Sequence, residues 1–131
     1  MIDFAHIQQL RERLIRDRGE LALLALFERD DNRGRWDLIV SGGGLRDDRL
    51  DDFRCVADAM SDTLSSAERY EIPRIVILPP DYEPVVKLIR RVHSVNGSGP
   101  VELENINFYQ FLIRTALIFH AELAEVEAVH A

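Results

Sequence analysis

The chain predicts an α/β domain built on a mixed sheet, and three observations carry that reading. Two apolar runs, 21–27 and 36–40, flank a polar turn containing Asn32 and Gly34, as the strands of a hairpin do. Amphipathic helical periods stand before and after that pair. A β-branched run, Arg74-Ile75-Val76-Ile77-Leu78, lies between Pro73 and Pro79 and is too short for a helix. The expected order is α-β-β-α-β-α-β-(β), in two or three layers, with 1–131 as one domain.

In the first helix, Phe4, Ile7, Leu10 and Leu14 recur at helical spacing behind Asp3, which can cap the N-terminus. Arg16 and Arg18 suit the last turn, and Gly19 can supply the residue that ends it, so the helix spans Phe4 to Arg18. Leu21 to Phe27 has no clear period and reads as the first hairpin strand. After the second strand come three consecutive glycines, then a helix expected to run unbroken from Asp47 or Asp48 to Glu71. Leu50, Phe53, Val56, Ala57, Met60, Leu64 and Ala67 would line its inner face. Pro73 stops it. Arg74 to Leu78 is expected to be a strand buried on both faces, in the middle of the sheet.

Pro79-Pro80-Asp81 then turns the chain. Asp81 is expected to cap a helix that tolerates Pro84 early and turns Val85, Leu88, Ile89 and Val92 inward. His93 to Pro100 reads as a loop. Val101 to Ile106 alternates apolar and polar residues as a half-exposed strand does; beyond it Phe108, Phe111, Leu112, Thr115 and Phe119 fit a helical spacing, yet Ile113 to Phe119 is rich in strand formers, and a strand from Leu112 to Phe119 is the favoured reading. A helical tail is expected after His120.

Composition excludes several functions. A formal charge of −7 argues against nucleic-acid binding and against an anionic membrane, both of which call for basic surface. The apolar run Leu21 to Phe27 is far shorter than the ~20 residues of a membrane span. Residues 1–18 mix Asp3, Glu12 and Asp17 with arginines, so no signal peptide is expected. Cys55 is the only cysteine, which forbids an internal disulfide and points to a reducing, cytoplasmic setting.

The triple glycine Gly42, Gly43 and Gly44, between a strand and a helix, is where backbone N–H groups can hold an anion. The nucleotide signatures fail there: no Gly-Lys-Ser/Thr follows, and Asp47 and Asp48 place carboxylates beside any incoming phosphate. A structural loop is the favoured reading and a ligand loop the other. Glu20 and Asp37 are the candidates for a two-carboxylate site, in which an Mg²⁺ or Mn²⁺ ion would activate water, with Asp47 or Asp48 as further ligands. That layout resembles the restriction-endonuclease-like nucleases in outline, but their carboxylate-x-lysine element is missing, because Lys87 follows Val85-Val86. Asp37 as a solvated or arginine-paired residue is the favoured alternative. Asp47, Asp48, Asp51 and Asp52 read as a solvated helix start. His6, His93, His120 and His130 are scattered and read as surface residues, no Gly-x-Ser-x-Gly elbow is present, and Cys55 reads as an inert buried thiol.

Glu20 to Phe27, Arg35-Trp36-Asp37-Leu38-Ile39-Val40-Ser41, Arg74 to Leu78 and Glu104 to Phe108 together resemble a small bacterial α/β family of about this length. The family carries no assigned activity, so the resemblance implies a fold, tilts the C-terminal segment towards strand and transfers no catalytic residue.

The function read from the sequence is a non-enzymatic binding or interaction module that needs no cofactor. Homo-oligomerisation is expected through the C-terminal segment, where Phe108, Phe111, Ile113, Ile118 and Phe119 exceed what one edge element needs. The competing reading is a metal-dependent nuclease or phosphohydrolase using Glu20 and Asp37.

Overall fold

The computed structural model describes residues 2–123. Among them are helices α1 (Phe4–Arg18), α2 (Leu50–Thr63), α3 (Ser66–Glu71) and α4 (Glu83–Val92). Strands β1 (Leu21–Arg29), β2 (Asp37–Gly42), β3 (Arg74–Leu78), β4 (Val95–Phe108) and β5 (Phe111–Ala121) form one sheet, ordered β3-β2-β1-β5-β4. The β2–β3 pair is parallel and the others antiparallel, so the mixed α/β sheet read from the sequence is present.

Two apolar clusters make three layers of it. On one face Ile7, Leu10 and Leu14 of α1 and Val56 and Met60 of α2 pack on Leu24, Leu26, Leu38 and Val40. On the other, Val85, Leu88 and Ile89 of α4 pack on Leu23, Ala25, Ile39 and Ile118. This two-sided cover explains why Leu21 to Phe27 is buried throughout and shows no period.

Several expectations need correction. The long helix is two, because Leu64 is extended and Ser65 caps α3 in a reciprocal box with Glu68. Its first part begins at Leu50 behind Arg49, and Leu50 is exposed while Asp52, Val56, Ala59 and Met60 are buried. The strand β3 is at the edge of the sheet, not the middle, with no strand beyond it among the described residues, and of its residues only Ile77 is buried, the others being half-buried or exposed. Tyr82, not Asp81, is the N-cap residue of α4. The expected loop 93–100 largely belongs to β4, where Val95 and Asn96 pair with Ala121 and His120 before the register shifts towards Val101. Pairing there is made by backbone, and Pro100 is tolerated because β4 is the other edge. The expected helical tail falls beyond Leu123, outside the described residues, and β5 itself runs on to Ala121.

No described helix is long and apolar enough to cross a membrane.

Candidate functional site

Phe108, at the close of β4, reaches over β5 to meet Phe27 of β1 edge-on, with ring centroids 5.1 Å apart. The turn that carries it, Tyr109-Gln110, is a two-residue hairpin loop whose first residue stands at φ 57, where glycine is the usual occupant. That strained backbone holds the Tyr109 ring 6.3 Å from Tyr82, at the entry to α4, and Tyr82 also touches Phe108 at 6.5 Å. The hairpin tip and the β3–α4 connection thus close on each other through three aromatic rings.

Two spaces share that aromatic wall. The outer groove, about 570 Å³, runs between α4 and the end of β4, with Leu88, Ile106 and Phe108 as its apolar side. Lys87 and Arg91, one helical turn apart, bring cations to its rim. Lys87 Nζ lies 2.8 Å from Glu83, and that contact holds the Glu83 carboxyl below its usual range. Arg91 has no ion-pair partner among the described residues. The inner chamber, about 100 Å³, is walled by Phe27, Ile39, Val76, Leu78 and Ile113, with Arg29, Asp37 and Arg74 at its polar end.

Those three charged residues meet because the last turn of ladder in β1, the first residue of β2 and the first of β3 share one end of the sheet. Burial pushes the Asp37 carboxyl upward against the opposing pull of Arg74 and Arg29. Arg29 Nε stands 3.7 Å from Asp37 and 3.4 Å from Asp31, and the guanidinium lies over the Phe111 ring at 5.6 Å. Asp37 is therefore arginine-flanked and buried, not solvated.

The other sequence candidates lie elsewhere. Glu20 precedes the opposite end of the β1–β2 ladder, about 20 Å from Asp37 at ~3.3 Å per residue, so one ion could not be held by both. Asp47 and Asp48 are exposed beyond that far end, and Asp48 pairs with Arg46 at 2.7 Å. No group of three or more potential metal ligands occurs among the described residues.

At the triple glycine, the Gly43 N–H donates to Glu20 O at 2.8 Å, while Arg18 Nε donates to Gly43 O at 3.1 Å. Arg18 Nη2 also lies 3.2 Å from the buried Asp52, whose other oxygen accepts the Arg46 N–H. The loop is tied to its own chain by an arginine, and Asp52 is a buried partner rather than part of a solvated helix start.

One histidine departs from the surface reading: His120 is 2% exposed, while His6 stays at the surface and bonds the buried Glu68. His93 is exposed and His130 lies outside the described residues; Cys55 is half-buried. A broader hollow on the α1 face, about 890 Å³, is ringed by Asp3, Glu28, Glu71 and Glu102. Asp3 already caps α1 and Glu28 already accepts the Gly34 N–H, so those two carboxylates serve the fold.

Comparison with known proteins finds no matching family model, no matching curated protein and no matching solved structure.

The groove was not legible in the sequence. Lys87 and Arg91 were visible only as charges on a helix, and Tyr82, Phe108 and Tyr109 as dispersed aromatics. The one available signal was a two-residue hairpin turn with tyrosine where glycine is usual.

Proposed function

We propose that this chain is a non-enzymatic binding module whose ligand is an organic anion with an apolar body, held between α4 and the β4–β5 hairpin. The observation that carries the reading is the pairing of Lys87 and Arg91 with an aromatic and aliphatic wall in one concave space, in a chain of net charge −7. Basic rims on acidic proteins favour entry of anions locally, and the apolar wall supplies the contact area. The test is a fluorescence titration with anilinonaphthalene sulfonate, an aromatic anion, at low and high salt. Saturable one-site binding that weakens with salt supports the reading, and binding unaffected by Arg91→Glu contradicts it.

Self-association is a second reading, favoured by Tyr109, Phe111 and Leu112, which are large, apolar and exposed together at the hairpin tip. Ile113, Ile118 and Phe119 cannot contribute without unfolding, because they are core residues. Light scattering after size exclusion at micromolar concentration tests it: a dimer reduced to monomer by Leu112→Glu supports it, and a wild-type monomer excludes it. A cytoplasmic location is proposed on the single cysteine.

A further inference from the structure

The two outer strands of the sheet, β3 and β4, present different edges. On β4 stand Pro100, the exposed Glu102 and Glu104, and a break in register between Asn96 and Val101. A missing donor, acidic side chains and an irregular ladder are what keep a natural edge from pairing with another chain. On β3 none of these occurs. Arg74-Ile75-Val76-Ile77-Leu78 runs in unbroken register with β2 and holds no proline, glycine, lysine or acid. Beyond that ladder, no backbone group of Arg74–Leu78 bonds another described residue. About half of its N–H and C=O groups therefore face outward, because successive residues of a strand alternate in the direction of their bonds.

The side chains of β3 are incompletely covered as well. Only Ile77 is buried, while Ile75, Val76 and Leu78 are half-buried. Ile75 packs on the α1–α2 face, and Val76 and Leu78 pack on the α4 face, so one added strand would cover apolar surface on both.

Charge and symmetry say which strand fits. The chain carries a net charge of −7, so two copies repel over most approaches. From Ile72 to Pro80, however, Arg74 is the only charged residue, and a copy arriving there meets no acid on this segment. Antiparallel pairing about a two-fold axis through Val76 uses all of both strands. It sets Val76 opposite Val76 of the second copy, Ile75 opposite Ile77, and Arg74 opposite Leu78. An axis normal to the sheet keeps the faces aligned, so that apolar residues meet on each. The two arginines then stand about 13 Å apart at ~3.3 Å per residue, beyond the Debye length of about 8 Å at physiological salt.

We infer that β3 is a self-association edge, at which two copies of this chain join antiparallel through Arg74–Leu78 into one continuous sheet. The inference is independent of the groove reading. It also differs from association through the hairpin tip, because it needs neither Tyr109, Phe111 nor Leu112.

The experiment is size exclusion with light scattering on the full chain, which is expected to give twice the chain mass at high micromolar concentration. Val76→Lys sets like charges directly opposite each other and should give a monomer with an unchanged circular dichroism spectrum, whereas Leu112→Glu should leave the dimer intact. If Val76→Lys fails to fold, cross-linking decides. In a Cys55→Ala background, mild oxidation should join Val76→Cys chains about tenfold faster than Arg74→Cys chains, because only the first pair of thiols lies directly opposite at disulfide distance. A wild-type monomer overturns the inference and leaves the edge to an extended peptide of another protein. A dimer lost in Leu112→Glu but kept in Val76→Lys, or equal cross-linking at the two positions, overturns it too.

Discussion

His6 Nδ1 lies 2.8 Å from Glu68 Oε1, and the same carboxylate accepts the backbone N–H groups of Asp3 and Ser65. One buried side chain therefore fastens the start of α1 to the start of α3. Those hydrogen bonds outweigh the cost of burial and hold the Glu68 carboxyl down at about 2.

Glu68 supplies the first prediction. Glu68→Ala leaves two backbone donors and a histidine without their acceptor and should destabilise by about 2–4 kcal/mol in urea unfolding. A lowered carboxyl contributes stability fully above its unfolded value of about 4.3, and loses it as pH falls towards about 2. The wild type should lose stability through that window, and Glu68→Gln should flatten the slope.

The two structured histidines act in opposite directions. His6 is raised by its hydrogen bond to Glu68, so its contribution is complete below about 6.5 and is lost as pH rises through the folded value. His120 is lowered, chiefly by burial and then by Arg11: its Nε2–H donates to Leu21 O at 2.8 Å and its Nδ1 accepts from Arg11 Nε at 3.0 Å. Its protonation is favoured in the unfolded chain, so stability is lost as pH falls below about 6.5. His6→Ala should therefore unmask a stability that rises with pH between about 5 and 7. Ring nitrogen chemical shifts should find His120 neutral with the proton on Nε2.

Glycine is required unequally along the triple-glycine loop. A Cβ on Gly42 would stand 2.5 Å from Ala22 N at φ +101, so Gly42→Ala should cost about 3 kcal/mol or more, because two backbones must separate. Gly44 has φ +67 and only the far end of Arg18 within 4 Å, so Gly44→Ala should cost about 1 kcal/mol. Thermal melts that rank the two in the reverse order would contradict the loop described.

Asp37 should stand at a cost to the fold. Burial raises its carboxyl, which means that the folded state binds the proton better and that stability falls as pH rises past about 4. Asp37→Asn should therefore raise stability at pH 7 by about 0.5–1 kcal/mol, because the amide brings no charge to be desolvated. A loss of stability would mean that Asp37 is held for the fold by Arg29 and Arg74.

The sequence was informative wherever period and composition decide local structure. The boundaries of α1 and β3, and the β1–β2 hairpin, follow from Asp3, Gly19, Pro73 and the polar turn around Gly34. It misled where a strong amphipathic period hid a local signal: Ser65 and Glu68 form a readable capping box, yet the pattern from Leu50 to Ala67 reads as one helix. It was silent where backbone alone makes the structure, as when Asn96 pairs with His120. Asp37 was legible as a residue of interest, but its neighbours were not. Arg29 and Arg74 reach it from strands on either side of β2, while Glu20 is carried to the far end of the ladder. The groove depends on how the end of β4 comes to lie beside α4, which no periodicity records.

The most direct test of a ligand groove is to map anilinonaphthalene sulfonate onto the backbone by amide NMR. The account predicts saturable shifts confined to Tyr82–Arg91 and Ile106–Phe111, abolished in Lys87→Glu/Arg91→Glu. Shifts centred instead on Asp3, Trp36, Glu102 and Thr115, or no saturable shift at all, would contradict it.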